Sequence, residues 1–219
     1  SQGFDVVIHY QNSKAEAETT AAEIIDLGRR AFLVYGDLNC PTISENILKS
    51  AFEQAGGLDV LVSNASIFNF SNLLDFNIEE LENEIRVNAF SPLIMARAFS
   101  RLVDGGVIIH LLDSRMTSYD KLHAAYHFSK RMLYDITRLL AIELAPSFRV
   151  NAVAPGLILP PPSEPMSYLE SHRTDNLLHR YGSPEEIASA VMFLVNSKFI
   201  TGQVIYVDGG RNLKGSVYG

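Results

Sequence analysis

The sequence predicts an α/β domain built on a parallel sheet, and three observations carry that prediction. Short runs rich in β-branched residues alternate with amphipathic helical stretches along the chain. Several runs are almost continuously hydrophobic, as expected of strands covered by helices on both faces. The 219 residues, 47% hydrophobic and 20% charged, suit a single domain with material for a substantial core.

The first strand is predicted over Phe4–Tyr10. Ser13-Lys14-Ala15-Glu16 has the spacing of a capping box and opens a helix that Gly28 should stop. A strand over Ala31–Tyr35, a helix over Ile43–Ala55 and a strand over Val60–Ser63 follow. The next helix spans Asn77–Phe99 with a break near Pro92. Then come a strand over Val107–Leu112, a helix over Leu122–Leu144 and a strand over Arg149–Val153. From Leu157 to Gly182 the pattern lapses: Pro160, Pro161, Pro162 and Pro165 preclude regular structure at its start. A long excursion beyond a strand's carboxyl end reads as a substrate lid, with a structural surface loop as the alternative. Ser183-Pro184-Glu185-Glu186 combines a capping serine, a proline at the first helical position and an acidic first turn. The last strand is Val204–Val207.

Bulk chemistry narrows the function classes. A formal net charge of −7 argues against nucleic acid or an anionic membrane as partner, though a local patch can still bind an anion. One cysteine, Cys40, excludes an intramolecular disulfide, and a cytoplasmic, reducing setting is the default expectation. No apolar run is long enough to span a bilayer, and no signal-peptide pattern is present. His123 and His127 have the four-residue spacing of helical metal pairs but lack a third ligand. They are expected to be partly exposed helix residues, with no metal. No Gly-x-Ser-x-Gly elbow supports a hydrolase.

The most informative feature is Tyr126-His127-Phe128-Ser129-Lys130. A phenol and an ammonium four residues apart share one helix face, where the cation favours the phenolate and tunes it for proton transfer. Alone the pair is weak evidence; its company makes it strong. Asp113 stands thirteen residues earlier at a strand end, Asn64-Ala65-Ser66 follows another strand, and Pro155-Gly156 follows a third. In open parallel sheets, ligands bind beyond the carboxyl ends of strands. The first strand ends in Ile8-His9-Tyr10-Gln11-Asn12-Ser13, with no carboxylate before Glu16. A carboxylate there would repel a ribose 2′-phosphate, whereas His9, Asn12, Ser13 and the helix amino terminus can donate to it. NADPH is therefore expected over NADH, with Tyr10 in the same segment; a polar capped turn is the competing reading.

Together these residues resemble the short-chain dehydrogenase/reductase family, and within it the pteridine reductase and dihydromonapterin reductase branch. The resemblance implies a Rossmann-type doubly wound parallel sheet in one domain over residues 1–219, with residues 157–182 as the lid. The family's opening strand and Gly-rich turn have no counterpart, and the chain starts where a second strand would. An N-terminally incomplete copy is expected; a native truncation would instead leave a cofactor-deficient scaffold.

The resemblance also implies roles. Tyr126 would be proton donor, Asp113 its partner, Lys130 the ribose anchor, and Asn88 the support of a water linking the lysine to solvent. Asp37 and Leu38 would contact adenine, although a turn-forming aspartate explains Asp37 equally well. Asn64, Ala65 and Ser66 would line the cofactor, and Pro155 and Gly156 would lie near the carboxamide. Ser66 would bond both ligand and cofactor, and Phe68 would stack on a pterin. Most of the family holds a serine where Asp113 stands. Ser114, one residue late, points to the opposite face if the strand stays extended, but an irregular strand end would let it reach the substrate. The implied activity is NADPH-dependent reduction of a pterin or dihydropterin-like molecule; a 3-oxoacyl thioester or other ketone reductase is the alternative. The resemblance implies a homotetramer or homodimer through the helices at 77–99 and 122–144, where Phe90, Ile94, Met95, Leu133 and Ile136 offer apolar surface, although burial inside the monomer explains several of these equally well.

Overall fold

The structure, a computed structural model, describes residues 2–117, 120–161 and 164–216. Ser1 and the lid's Pro162 lie outside the described residues. The elements run β1 (Val6–Tyr10), α1 (Lys14–Asp26), β2 (Ala31–Tyr35), α2 (Pro41–Ala55), β3 (Val60–Ser63) and α3 (Ile78–Ile85). They continue with a π-helical turn (Arg86–Phe90), α4 (Ser91–Leu102), β4 (Gly106–Leu111), α5 (Ala124–Glu143) and β5 (Phe148–Pro155). Last come α6 (Ser167–Ser171), α7 (Pro184–Asn196) and β6 (Val204–Val207). All strand pairings among the described residues are parallel, giving the α/β architecture that the alternation predicts and the Rossmann-like fold that the resemblance implies.

The strands do not form one continuous sheet. β1 pairs with β2 in a two-stranded sheet, and β3-β4-β5-β6 forms a second of four strands. Helices join the two, since α2 packs on α4. Val34 of β2, Ile47 and Leu48 of α2, Leu61 of β3, Phe99 of α4 and Ile108 of β4 share one buried cluster.

Local chemistry explains the helix boundaries, with two corrections. Asn77–Glu80 and Ser183–Glu186 both form reciprocal capping boxes. Gly28, at φ +74°, ends α1 as predicted. The Ser13–Glu16 box is not made: Ser13 sits at φ −94°, ψ 55°, outside the extended region a cap needs, and its side chain makes no cap hydrogen bond. The irregularity in the long helix is not at Pro92 but before it. In the Arg86–Phe90 turn the amide of Ser91 reaches back to the Arg86 carbonyl, and Pro92 then falls in the first turn of α4, where a missing N–H costs little.

Helix α5 is tied to the sheet by a buried pair. The Thr137 hydroxyl donates to the Leu133 carbonyl (2.7 Å), so His110 Nδ1, 2.9 Å from Thr137 Oγ1, carries the proton between them. Burial pushes His110 down to about 3, and the ring is neutral at working pH. Leu133 and Ile136 lie in the core, the second of the two readings offered for them; Phe90 is exposed, and Ile94 and Met95 are half-buried. The excursion after β5 is closed at its base by Gly182 N–H donating to the Leu157 carbonyl (2.9 Å), and Leu169 of α6 is fully buried. No helix among the described residues is long and apolar enough to cross a membrane.

Candidate active site

Tyr126 and Lys130 sit one turn apart on α5, and a loop fifty residues away fixes that helix's start. α5 has no capping side chain of its own. The Ser71 carbonyl accepts from Ala124 N–H (2.9 Å) and the Ser71 hydroxyl from Ala125 N–H (3.0 Å), satisfying amides that would otherwise be orphaned. β4 ends at Leu111, and Asp113 leads into a 3-10 turn over Ser114–Thr117. Asp113 is held there by its own turn, with Oδ1 accepting the Arg115 amide at 2.7 Å.

The expected carboxyl–phenol–amine set does converge. Tyr126 donates to Asp113 Oδ2 at 2.9 Å, and Lys130 Nζ donates to the Leu111 carbonyl at 2.9 Å while lying 5.7 Å from the centroid of the Tyr126 ring. Ser114 is buried, and its hydroxyl has no hydrogen-bond partner among the described residues, so it is Asp113 that meets the phenol.

The electrostatics correct one expectation. The Tyr126 hydroxyl is held well above the usual tyrosine range, first by burial, then by the charge and hydrogen bond of Asp113. Lys130 is pushed down to about 8 by its own burial, with Asp113 and Glu84 opposing the shift. The phenol is thus kept protonated, a donor rather than a ready phenolate.

Asn88 lies in the π-helical turn, completely buried. Its Oδ1 accepts from Ile67 N–H (2.8 Å) and the Ser66 hydroxyl (3.1 Å). Its Nδ2 donates to the Ile67 carbonyl (2.9 Å), Glu84 Oε2 (2.8 Å) and Ser129 Oγ (3.0 Å). Because Ile67 N–H can only donate, the orientation of this amide is fixed by its partners. The side chain therefore secures the Ser66–Ile67 loop.

Phe68, 38% exposed, stands over Tyr126 edge-to-face at 4.7 Å. His123 stacks on it at 4.0 Å, and the Arg115 guanidinium lies 5.1 Å from its centroid. Arg115 also pairs with Asp113 (3.5 Å) and Asp120 (3.4 Å). His123 is partly exposed, as expected, whereas His127 is buried, against its partly exposed reading; both are bonded to Asp120. Sequence reasoning missed Arg115, His123, Ser71 and Glu84 as site residues. The available signal for His123 was its position three residues before Tyr126, although it precedes α5 rather than lying on its face.

The expected cofactor residues divide. His9, Tyr10, Asn12, Ser13, Leu38, Ala65 and Ser66 line one cleft of ≈ 430 Å³ between the end of β1 and the loop after β3. Its donor set suits a phosphorylated dinucleotide: Asn12 and Ser13 are exposed, and the Ser13 hydroxyl is not spent on capping. His9 is partly committed, its Nε2 bonding the Gly36 carbonyl at 2.8 Å. Asp37 Oδ1 accepts Asn39 N–H at 2.9 Å, the turn-forming role. Asn64, Pro155 and Gly156 lie outside this cleft's lining. Gly156 has a packing reason to be glycine, since a Cβ there would meet Asp208 Cα at 2.5 Å.

The family described as enoyl-(acyl carrier protein) reductase matches residues 1–212. The short-chain dehydrogenase/reductase eriH of Hericium erinaceus is 33% identical, over 96% of this chain and 89% of its own length. A 3-oxoacyl-[acyl-carrier-protein] reductase of Synechocystis sp. is 32% identical, over 95% of this chain and 87% of its own. Among solved structures, the FolM alternative dihydrofolate reductase 1 from Brucella canis, complexed with NADP, superposes with a TM-score of 0.89 at 31% identity, over 96% of this chain and 85% of that one.

Proposed function

This chain belongs to the short-chain dehydrogenase/reductase family, and on that premise we propose that it is an NADPH-dependent reductase of a pterin or dihydropterin-like ring. One observation carries the reading: Tyr126 donates to the carboxylate of Asp113 at 2.9 Å where a hydroxyl would serve a simple ketone. A pterin offers ring nitrogens and an amide-like edge that need both an acceptor and a proton. The FolM likeness supports the same substrate class.

Bound NADPH would supply a hydride to the substrate ring. The residues of this chain supply everything else. His9, Asn12 and Ser13 would receive the adenosine phosphate end, and Ala65, by its small size, would admit the dinucleotide past the end of β3. Lys130, a buried ammonium, would hold the ribose hydroxyls and stabilise negative charge as it appears on Tyr126 Oη. Tyr126, kept protonated by burial and by Asp113, delivers its proton to the ring nitrogen. Asp113, locked by the Arg115 amide, accepts hydrogen bonds from the substrate edge and relays the next proton to the phenol. Phe68 would bear one face of the flat ring, at the place where a planar guanidinium already lies against it.

The test is NADPH oxidation with dihydrobiopterin against acetoacetyl thioester. Turnover of the pterin is expected. Turnover of the thioester with none of the pterin would overturn the reading in favour of the ketone reductase that the Synechocystis relative suggests.

A further inference from the structure

Glu84 is a carboxylic acid with 1% of its surface exposed, and no role described so far uses it. An acid is rarely buried so fully without a partner that repays its lost hydration. Here both oxygens are engaged. Oε2 accepts from Asn88 Nδ2 at 2.8 Å across the junction between α3 and the π-helical turn, and Oε1 accepts from Asn69 N–H at 3.0 Å.

These bonds act on the substrate-facing loop. The Ser66 hydroxyl, Ile67 N–H, Ile67 carbonyl and Asn69 N–H all end on the side chains of Asn88 and Glu84. Phe68 lies between these anchored points, so two side chains determine where its ring stands relative to Tyr126. From Asn88 the network runs on through Ser129 Oγ to the Tyr126 carbonyl at 2.8 Å, between the two working residues of α5.

We propose that Glu84 is a positioning residue whose carboxylate, together with Asn88, anchors the Ser66–Asn69 loop and so sets where Phe68 stands over Tyr126. The consequence for substrate rests on the reductase reading above; the hold on the loop does not.

The test uses Glu84→Ala, which removes both acceptors, and Glu84→Gln, which keeps the shape. Amide hydrogen exchange at Asn69 should rise severalfold in Glu84→Ala, and less in Glu84→Gln, with exchange in the core strands unchanged. KM for dihydropterin should rise severalfold in Glu84→Ala, with kcat changed less. Unchanged exchange at Asn69 in folded Glu84→Ala overturns the proposal whatever the substrate, and so does an unchanged KM where wild-type turnover is present. Absence of pterin turnover in the wild type would count against the reductase reading alone. Thermal melts establish that each variant is folded, and Glu84→Gln carries the same readouts if Glu84→Ala proves unstable.

Discussion

The two sheets carry two kinds of site. Around β3-β4-β5-β6, the working groups are buried and spoken for: Tyr126, Lys130, Asn88 and Glu84 are each under a tenth exposed, and each has a named partner. Around β1-β2, every residue of β1 is only half-buried, and Asn12 and Ser13 stand open to solvent. The contrast follows from the chemistry. Moving a proton at neutral pH needs groups whose affinity for protons has been shifted, and burial is the strongest way to shift it. Holding a phosphate needs donors that a ligand can reach, and these lose nothing by staying wet until it arrives.

The sharpest way to break this comparison is to remove the phenol. Tyr126→Phe should lower kcat/KM by about 10²–10⁴ with the circular dichroism spectrum intact; a smaller loss would mean that the proton comes from elsewhere.

Stability should divide the same way. Phe99, fully buried and packed edge-to-face on Phe148 at 5.6 Å, should cost about 3–5 kcal/mol as Phe99→Ala in urea unfolding. Val7→Ala, on the half-buried β1, should cost about 1 kcal/mol. Equal losses would show that the two-stranded sheet is as tightly packed as the other.

pH separates catalysis from folding. Lys130 is charged below about 8 and loses its proton above it. kcat/KM should therefore fall about tenfold per pH unit once past that value. In the unfolded chain the lysine keeps its proton up to the ordinary 10.5, so between about 8 and 10.5 the unfolded state binds more protons and this group's contribution to stability rises with pH. A melting temperature that holds while the rate falls is the expected signature.

The smallest effect belongs to the open site. Asn12→Asp should move cofactor preference from NADPH towards NADH by about tenfold, ~1.4 kcal/mol, because a carboxylate repels the 2′-phosphate through partly screening water. No change in that ratio would place the phosphate away from the β1 turn.

Much of this was legible because it is written in local spacing. The strand runs fell within a few residues of β1 to β6, Ser183 capped the helix its spacing announced, and thirteen residues from Asp113 to Tyr126 proved to be a hydrogen bond. Ser13 failed as a cap because its backbone left the required region, which a side-chain pattern does not encode. The break near Pro92 was read from the proline, whereas the deviation lies in the preceding π-helical turn, which carries Asn88 with its bonds to the distant Ile67 loop. His127 was expected to be partly exposed, because its place on a helix gives no sign of what packs against it; the structure buries it and bonds it to Asp120.

By itself the sequence determined the alternation of strands and helices and the one-turn spacing of phenol and amine, because periodicity and i,i+4 geometry depend only on the backbone. Only the tertiary structure decided that Ser71 starts α5, that Glu84 is buried beneath Asn88, and that Tyr126 keeps its proton. Those outcomes depend on which distant groups are brought together away from water, and desolvation has no signature in residue order.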